Sequence, residues 1–326
     1  MIIKTGKISL IFICTILLLV NSVVYSDKEK QGPAAAIVNN KPIPISDLDK
    51  EIKTAKSINP EFRNANDLAT TRKLREKALD DLINKELMVQ EGEKIGLEPK
   101  ASRVDLELNR IKQRFDSQEA FEQRMKMEGI NEEKLRETIR RALIVKEFID
   151  TKIKTKANPV TDEDARNYYE NHKEDFIIEQ RVMARHILIK VPADASITDK
   201  NNAKKQMESI LAEAKNGADF ASLAKKYSQC PTGPEGGLLS YFTRGDMVKP
   251  FSDAAFALES GQISDVVETK YGYHIILVED KKPEEQLTFE DVGDDIKEIL
   301  TDIEVDSTLQ DWLKSAREKA VIKKMM

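Results

Sequence analysis

Apolar residues fall on one helical face through most of the first half of this chain. Leu79, Ile83 and Leu87 recur at intervals of four, Val104, Leu108, Ile111 and Phe115 at four, three and four, and Leu135, Ile139, Ala142, Val145 and Ile149 at four, three, three and four. Each set draws one apolar stripe between charged flanks, as an amphipathic helix requires, so helices are expected to dominate up to about Thr155. Before them, Ala35-Ala36-Ile37-Val38-Asn39-Asn40-Lys41-Pro42-Ile43 reads as two short strands about a tight Asn-Asn turn. Ser46-Asp47-Leu48-Asp49 matches the pattern that satisfies free amides at a helix start. Thr161-Asp162-Glu163-Asp164 opens a further helix after the breaker Asn158-Pro159.

The pattern changes at Arg181. Branched aliphatics from Val182 to Val191 read as a strand, Asp199 to Lys215 and Asp219 to Tyr227 as helices, Pro250 to Leu258 as a short helix, and Val266 to Thr269 and Tyr273 to Glu279 as strands. That succession predicts an α+β domain with a small, mainly antiparallel sheet. Lys281 to Glu285 reads as a linker, and Thr288-Phe289-Glu290-Asp291 caps a last helical region with apolar positions Phe289, Val292, Ile296, Ile299 and Ile303, then Leu309, Leu313, Ala316 and Ala320. This tail needs a partner surface, and the N-terminal helices are the other helical body available. We therefore expect residues 34–175 and 286–326 to form one mainly helical domain, the tail packing back and Ala320 to Lys323 extending the Ile37–Val38 hairpin. Residues 178–281 are the inserted α+β domain.

Composition sets the class. The chain of 326 residues is 33% charged yet carries a net charge of only −5, which indicates neither a nucleic-acid footprint nor a disordered acidic tail. Residues 1–26 stand apart: Lys4 and Lys7 precede the apolar run Ile8 to Val20, and small residues follow at Ser22 and Ser26. This is the order of a cleavable signal peptide and predicts export, with no stable membrane insertion after cleavage. The alternative is an uncleaved anchor over Ile8 to Tyr25, although Asn21 and Ser22 interrupt it. Beyond the leader a single cysteine, Cys230, remains, so an internal disulfide is excluded.

Two of the three histidines, His186 and His274, bracket that cysteine. The bracketed stretch runs Ala184-Arg185-His186-Ile187-Leu188-Ile189-Lys190, Tyr227-Ser228-Gln229-Cys230, Gly236-Gly237-Leu238-Leu239-Ser240-Tyr241-Phe242, Met247-Val248-Lys249-Pro250-Phe251 and Thr269-Lys270-Tyr271-Gly272-Tyr273-His274-Ile275-Ile276. In that order the set closely resembles the parvulin family of peptidyl-prolyl cis/trans isomerases, over roughly Arg181 to Lys281. The flanks, a helical region opening on the Ile37 to Ile43 hairpin and a helix after the parvulin unit, resemble the SurA/PrsA class of exported folding chaperones.

The resemblance implies a catalytic set of His186, Cys230, Thr269 and His274, and a proline cup of Leu239, Met247 and Phe251. Rotating an X–Pro bond crosses about 18–20 kcal/mol without making or breaking a bond, so metal and cofactor are both dispensable. It implies an exported, periplasmic foldase whose partners are unfolded or nascent proline-containing polypeptides, secreted or outer-membrane proteins among them. Leu238 and Ser240 depart from the family's acidic residue and glycine, which leaves open a chaperone with a catalytically silent parvulin domain. Val191 to Ala195 lacks the arginine cluster with which some members grip phosphate. A cysteine hydrolase at Cys230 is disfavoured, because no helix start follows to lower the thiol pKa. Taken singly, a histidine on an apolar strand also fits a satisfied core residue, and a lone cysteine a buried hydrophobe.

Overall fold

The computed structural model describes residues 33–63 and 67–325; the leader read at residues 1–26 lies outside them. Strands β1 (Ala34–Val38) and β2 (Lys41–Pro44) pair antiparallel about Asn39 and Asn40. Both asparagines adopt positive φ, 47° and 69°, which a tight two-residue hairpin demands and asparagine tolerates. Helix α1 (Ile45–Ile58) starts directly after Pro44, with no side-chain cap. Ser46 therefore lies inside the first turn instead of capping it: proline's fixed φ already sets the entry.

Next come α2 (Pro60–Arg63), α3 (Leu68–Lys94), α4 (Ala101–Lys112), α5 (Gln118–Met127) and α6 (Glu132–Phe148). Asp67, Ser117 and Asn131 cap α3, α5 and α6 through their side-chain oxygens. The stripes pack as their spacing demands. Leu79, Ile83 and Leu87 join Ala35, Val38, Ile43 and Leu48 under the hairpin, while Val104, Leu108 and Ile111 meet Phe121, Leu135 and Ile139. Among the methionines of these helices, Met88 is fully buried and Met125 half-covered, but Met127 at the end of α5 is 76% exposed.

Helix α7 (Asp162–Asn171) opens on a reciprocal Thr161–Asp164 cap. Then follow β3 (Ile177–Ile178), β4 (Arg181–Lys190), α8 (Ile197–Lys215), α9 (Phe220–Tyr227), β5 (Leu238–Phe242), α10 (Lys249–Ala257), β6 (Val267–Thr269), β7 (Gly272–Lys282) and β8 (Glu285–Gln286). Four strands form an antiparallel sheet in the order β5-β4-β7-β6. One face buries Ile187, Ile189 and Ile275 against Met207, Ile210, Phe220 and Leu223 of α8 and α9. The other buries Val182, Ala184, Ile276 and Val278 against Phe251, Ala255 and Phe256 of α10. The stretch read as a linker is partly ordered sheet, since β7 runs on to Lys282 and β8 pairs with β3.

The chain ends with α11 (Phe289–Lys319), a single helix of 31 residues, and β9 (Ile322–Lys324). Val305, Leu309 and Leu313 of α11 pack on Met88, Phe148 and Ile153, and β9 pairs antiparallel with β1, so the tail completes the N-terminal core. By contacts the described residues divide into two units: Arg166–Gly293, and the residues up to Ala165 together with those from Asp294 onward.

Candidate active site

The β4–β7 register places Leu188 opposite His274 and His186 opposite Ile276, so the two histidines are diagonal neighbours on the face that α10 covers. They are 6% and 4% exposed. Their rings lie nearly parallel, 15° apart, and Nδ1 faces Nδ1 at 3.4 Å. Burial pushes both imidazoles down to about 4, and for His274 the neighbouring His186 adds to the effect, so both are neutral at pH 7.

Each outer nitrogen meets a threonine. His274 Nε2 lies 2.9 Å from Thr269 Oγ1 on β6, and His186 Nε2 lies 3.3 Å from Thr232 Oγ1. Thr232 in turn donates to Cys230 Sγ at 3.4 Å. A neutral imidazole carries one N–H, so the Nδ1–Nδ1 contact holds a single proton. Because the one Thr232 hydroxyl proton goes to Cys230 Sγ, His186 donates at Nε2 to Thr232 and accepts at Nδ1 from His274, whose Nε2 accepts from Thr269. The chain Cys230–Thr232–His186–His274–Thr269 is therefore polarised in one direction along its length and carries no net charge.

Local backbone fixes the cysteine end. Past the start of β5, residues 228–229 bond the free edge of β4: Gln229 N donates to Leu188 O at 2.8 Å, and Leu188 N to Ser228 Oγ at 3.2 Å. The following turn closes with His186 N donating to Gly237 O at 2.9 Å. Gly237 has φ 71°, and a Cβ there would lie 2.2 Å from His186 O, so the close approach behind the histidine requires glycine.

The apolar wall stands across the imidazoles. The Phe251 ring is edge-on to both, its centroid 5.6 Å from His186 and 5.4 Å from His274. Phe251 is 3% exposed, whereas Leu239 and Met247, packed in the same cluster, are half-buried and form the accessible part of that wall. Ser252 Oγ donates to Arg244 O at 2.9 Å, tying the turn before Met247 to α10. The geometry thus brings together His186, Cys230, Thr269 and His274 and sets Phe251 against the pair. Thr232 escaped the sequence reading, because two residues after a cysteine in Cys-Pro-Thr-Gly a threonine looks like an ordinary turn residue. Leu238 and Ser240 are both exposed on β5, while Leu239 between them turns toward the wall.

The comparisons with known proteins agree with this architecture. A family described as the PPIC-type PPIase domain matches residues 169–282, and one described as a SurA-like N-terminal domain matches residues 2–149. A putative peptidyl-prolyl cis-trans isomerase NifM of Azotobacter chroococcum is 30% identical over 66% of this chain and 73% of its own length. Foldase protein PrsA of Caldanaerobacter subterraneus is 37% identical over 62% of this chain and 56% of its own length, so the chain spans little more than half of that relative. Among solved structures, a SurA-like chaperone of Campylobacter jejuni covers 89% of this chain and 99% of its own, at 23% identity and a TM-score of 0.45. Sheet, helices and matches define a protein that joins a PPIC-type PPIase domain to a SurA-like N-terminal domain. The chain belongs to the PrsA- and SurA-like family of foldases and chaperones.

Proposed function

We propose that this protein is an exported foldase: the unit Arg166–Gly293 catalyses cis/trans rotation of X–Pro bonds, and the helical unit holds unfolded, proline-containing chains in transit. The observation that carries the catalytic part is Phe251 set edge-on against two neutral imidazoles, within one hydrogen-bonded chain that ends at Cys230 and Thr269. Rotation needs the amide to lose its resonance, which a site accelerates by holding the twisted form better than either planar form. A pyrrolidine ring seated on Leu239, Met247 and Phe251 gains about 1–3 kcal/mol from burial. A polar chain without net charge lies beside the turning amide and presents no ion that would have to be desolvated.

Export rests on the leader pattern of residues 1–26, and among the described residues no helix is long and apolar enough to cross a membrane. The reading of a chaperone with a silent parvulin domain rested on Leu238 and Ser240. Both sit on exposed positions of β5, outside the wall that Leu239 joins, and although β5 slips register against β4 between Val182 and Ala184, that exposure favours the active reading. An isomerisation assay on a proline peptide tests it, with His274→Ala beside the unchanged chain. The substitution should lower kcat/KM at least about tenfold, the loss of a buried hydrogen-bonded group, and leave suppression of aggregation of an unfolded protein intact. Equal loss of both activities would make His274 a purely structural residue, and no rate enhancement by the unchanged chain would establish the silent reading.

A further inference from the structure

On α11, Trp312 and Ala316 lie four residues apart on one line, and Ala320 follows just past the helix end. Across from that line α3 presents Leu87, Glu91 and Lys94, and between the two lies an open groove of about 530 Å³. Leu87 is buried and forms the floor, and the half-buried Trp312 ring rests on Phe148 with centroids 4.6 Å apart. Because Ala316 and Ala320 keep this wall low, the trough runs open along the last two turns of α11, ~11 Å. An extended chain covers that length in about four residues.

The rim is cationic. Lys94, Lys156 and Lys319 are all exposed. Among the lining residues the one carboxylate is Glu91, and it is already paired with Lys94 at 3.1 Å. Lys156 and Lys319 enter no ion pair among the described residues, so the rim keeps positive charge that nothing local neutralises. The lining amides are also committed: Asn39 donates to Gln90 Oε1 at 2.9 Å, and Gln90 donates to Glu86 Oε1 at 2.6 Å. What the groove has left to offer is the Ser315 hydroxyl and an apolar and aromatic surface bordered by ammonium groups.

We propose that this groove receives an extended polypeptide segment in which an aromatic side chain is flanked by carboxylates. The inference rests on the client-holding role proposed above and gives that role a chemistry: the aromatic ring lies on Trp312 and Leu87, and the flanking carboxylates meet Lys156 and Lys319.

Trp312 is the chain's one tryptophan, so its emission reports this groove directly. The full chain is titrated with three labelled peptides that share one phenylalanine, flanked by aspartates, lysines or serines, while Trp312 emission and label anisotropy are followed together. The aspartate-flanked peptide should shift Trp312 emission saturably and bind roughly tenfold tighter than the lysine-flanked one, a gap that narrows at high salt. In the double variant Lys156→Glu/Lys319→Glu, changed only at exposed positions, the preference should reverse with the melting temperature unchanged. Equal affinity for the aspartate- and lysine-flanked peptides overturns the proposal, as does an unaltered preference in the double variant. Should every peptide leave Trp312 silent while the chain still suppresses aggregation of an unfolded protein, the groove falls and client holding stands. Should the peptide preference appear in a chain that suppresses no aggregation, the groove stands and the reading beneath it falls.

Discussion

Thr232 joins the two halves of the polar chain. Its hydroxyl is within reach of His186 Nε2 on one side and Cys230 Sγ on the other, so it conveys the polarity of the imidazole pair to the thiol. Thr232→Val keeps the shape and removes the hydroxyl. The expected outcome is about a tenfold loss in isomerisation kcat/KM, the worth of one hydrogen bond near the reacting group, with proline-peptide affinity retained and Thr232→Ser restoring the rate. An unchanged rate in the valine variant would reduce Thr232 to a spacer. The residues beside it were legible in sequence because their motif is ordered: histidines bracketing a cysteine, paired glycines, and an aromatic two residues after Lys249. Thr232 was not, since the sequence shows residue types and order but not that Gly237 lets the turn close behind His186, which is what brings the Thr232 hydroxyl to an imidazole.

At the scale of elements, the placement of α10 decides whether the apolar wall exists at all. Its N-terminal half carries Phe251, and its C-terminal end is held from β7: the Lys281 ammonium donates to Phe256 O at 3.1 Å and Leu258 O at 2.9 Å. Those are the orphan carbonyls of a helix end, the position where a cation is most favourable. Lys281→Met keeps the aliphatic stem and removes the charge. It should cost about 1–2 kcal/mol of unfolding free energy and raise KM for a proline peptide more than it lowers kcat. Equal unfolding midpoints in urea for variant and parent would refute the brace. The helices themselves were readable because a stripe at intervals of three and four has one structural meaning. Their ends were less so. Pro44 rather than Ser46 starts α1, α8 begins two residues before the expected Asp199, and α6 continues into a π-helical turn at Ile149–Ile153 that apolar spacing does not encode.

Across the whole molecule, the two units respond to acid in opposite senses. His186 and His274, at about 4 in the fold against 6.5 in the free side chain, bind protons more readily in the unfolded chain. Their stabilising contribution is therefore complete above pH 6.5 and declines as pH falls toward 4, by about 2 kcal/mol per imidazole between pH 7 and 5. The helical unit carries the reverse arrangement at Asp47, on the first turn of α1. This carboxylate is 1% exposed, neither oxygen has a hydrogen bond of good geometry, and the adjacent Ser46 hydroxyl offers it only a weak one. Burial raises it to about 6 from 3.8, against the opposing pull of Lys50 on its own helix and of Arg141 and Lys134 on α6. Glu86 of α3, packed in the same core, is held by Arg141 and Gln90. Here the folded state takes the proton first, so the helical unit gains about 1 kcal/mol over the same fall in pH. Carboxylates whose values are lowered, such as Asp80 and Asp150, stay ionised throughout that window and do not mask the contrast. Hydrogen exchange corrected for intrinsic rates should show protection on β4 and β7 falling from pH 7 to pH 5 while protection on α1 and α3 rises. Asp81 on α3, also raised by burial, shares the second response, so Asp47→Asn should reduce that response and leave the first intact. Parallel loss in both units would mean that Asp47 is hydrated in solution and that the helical core admits water at its hairpin end.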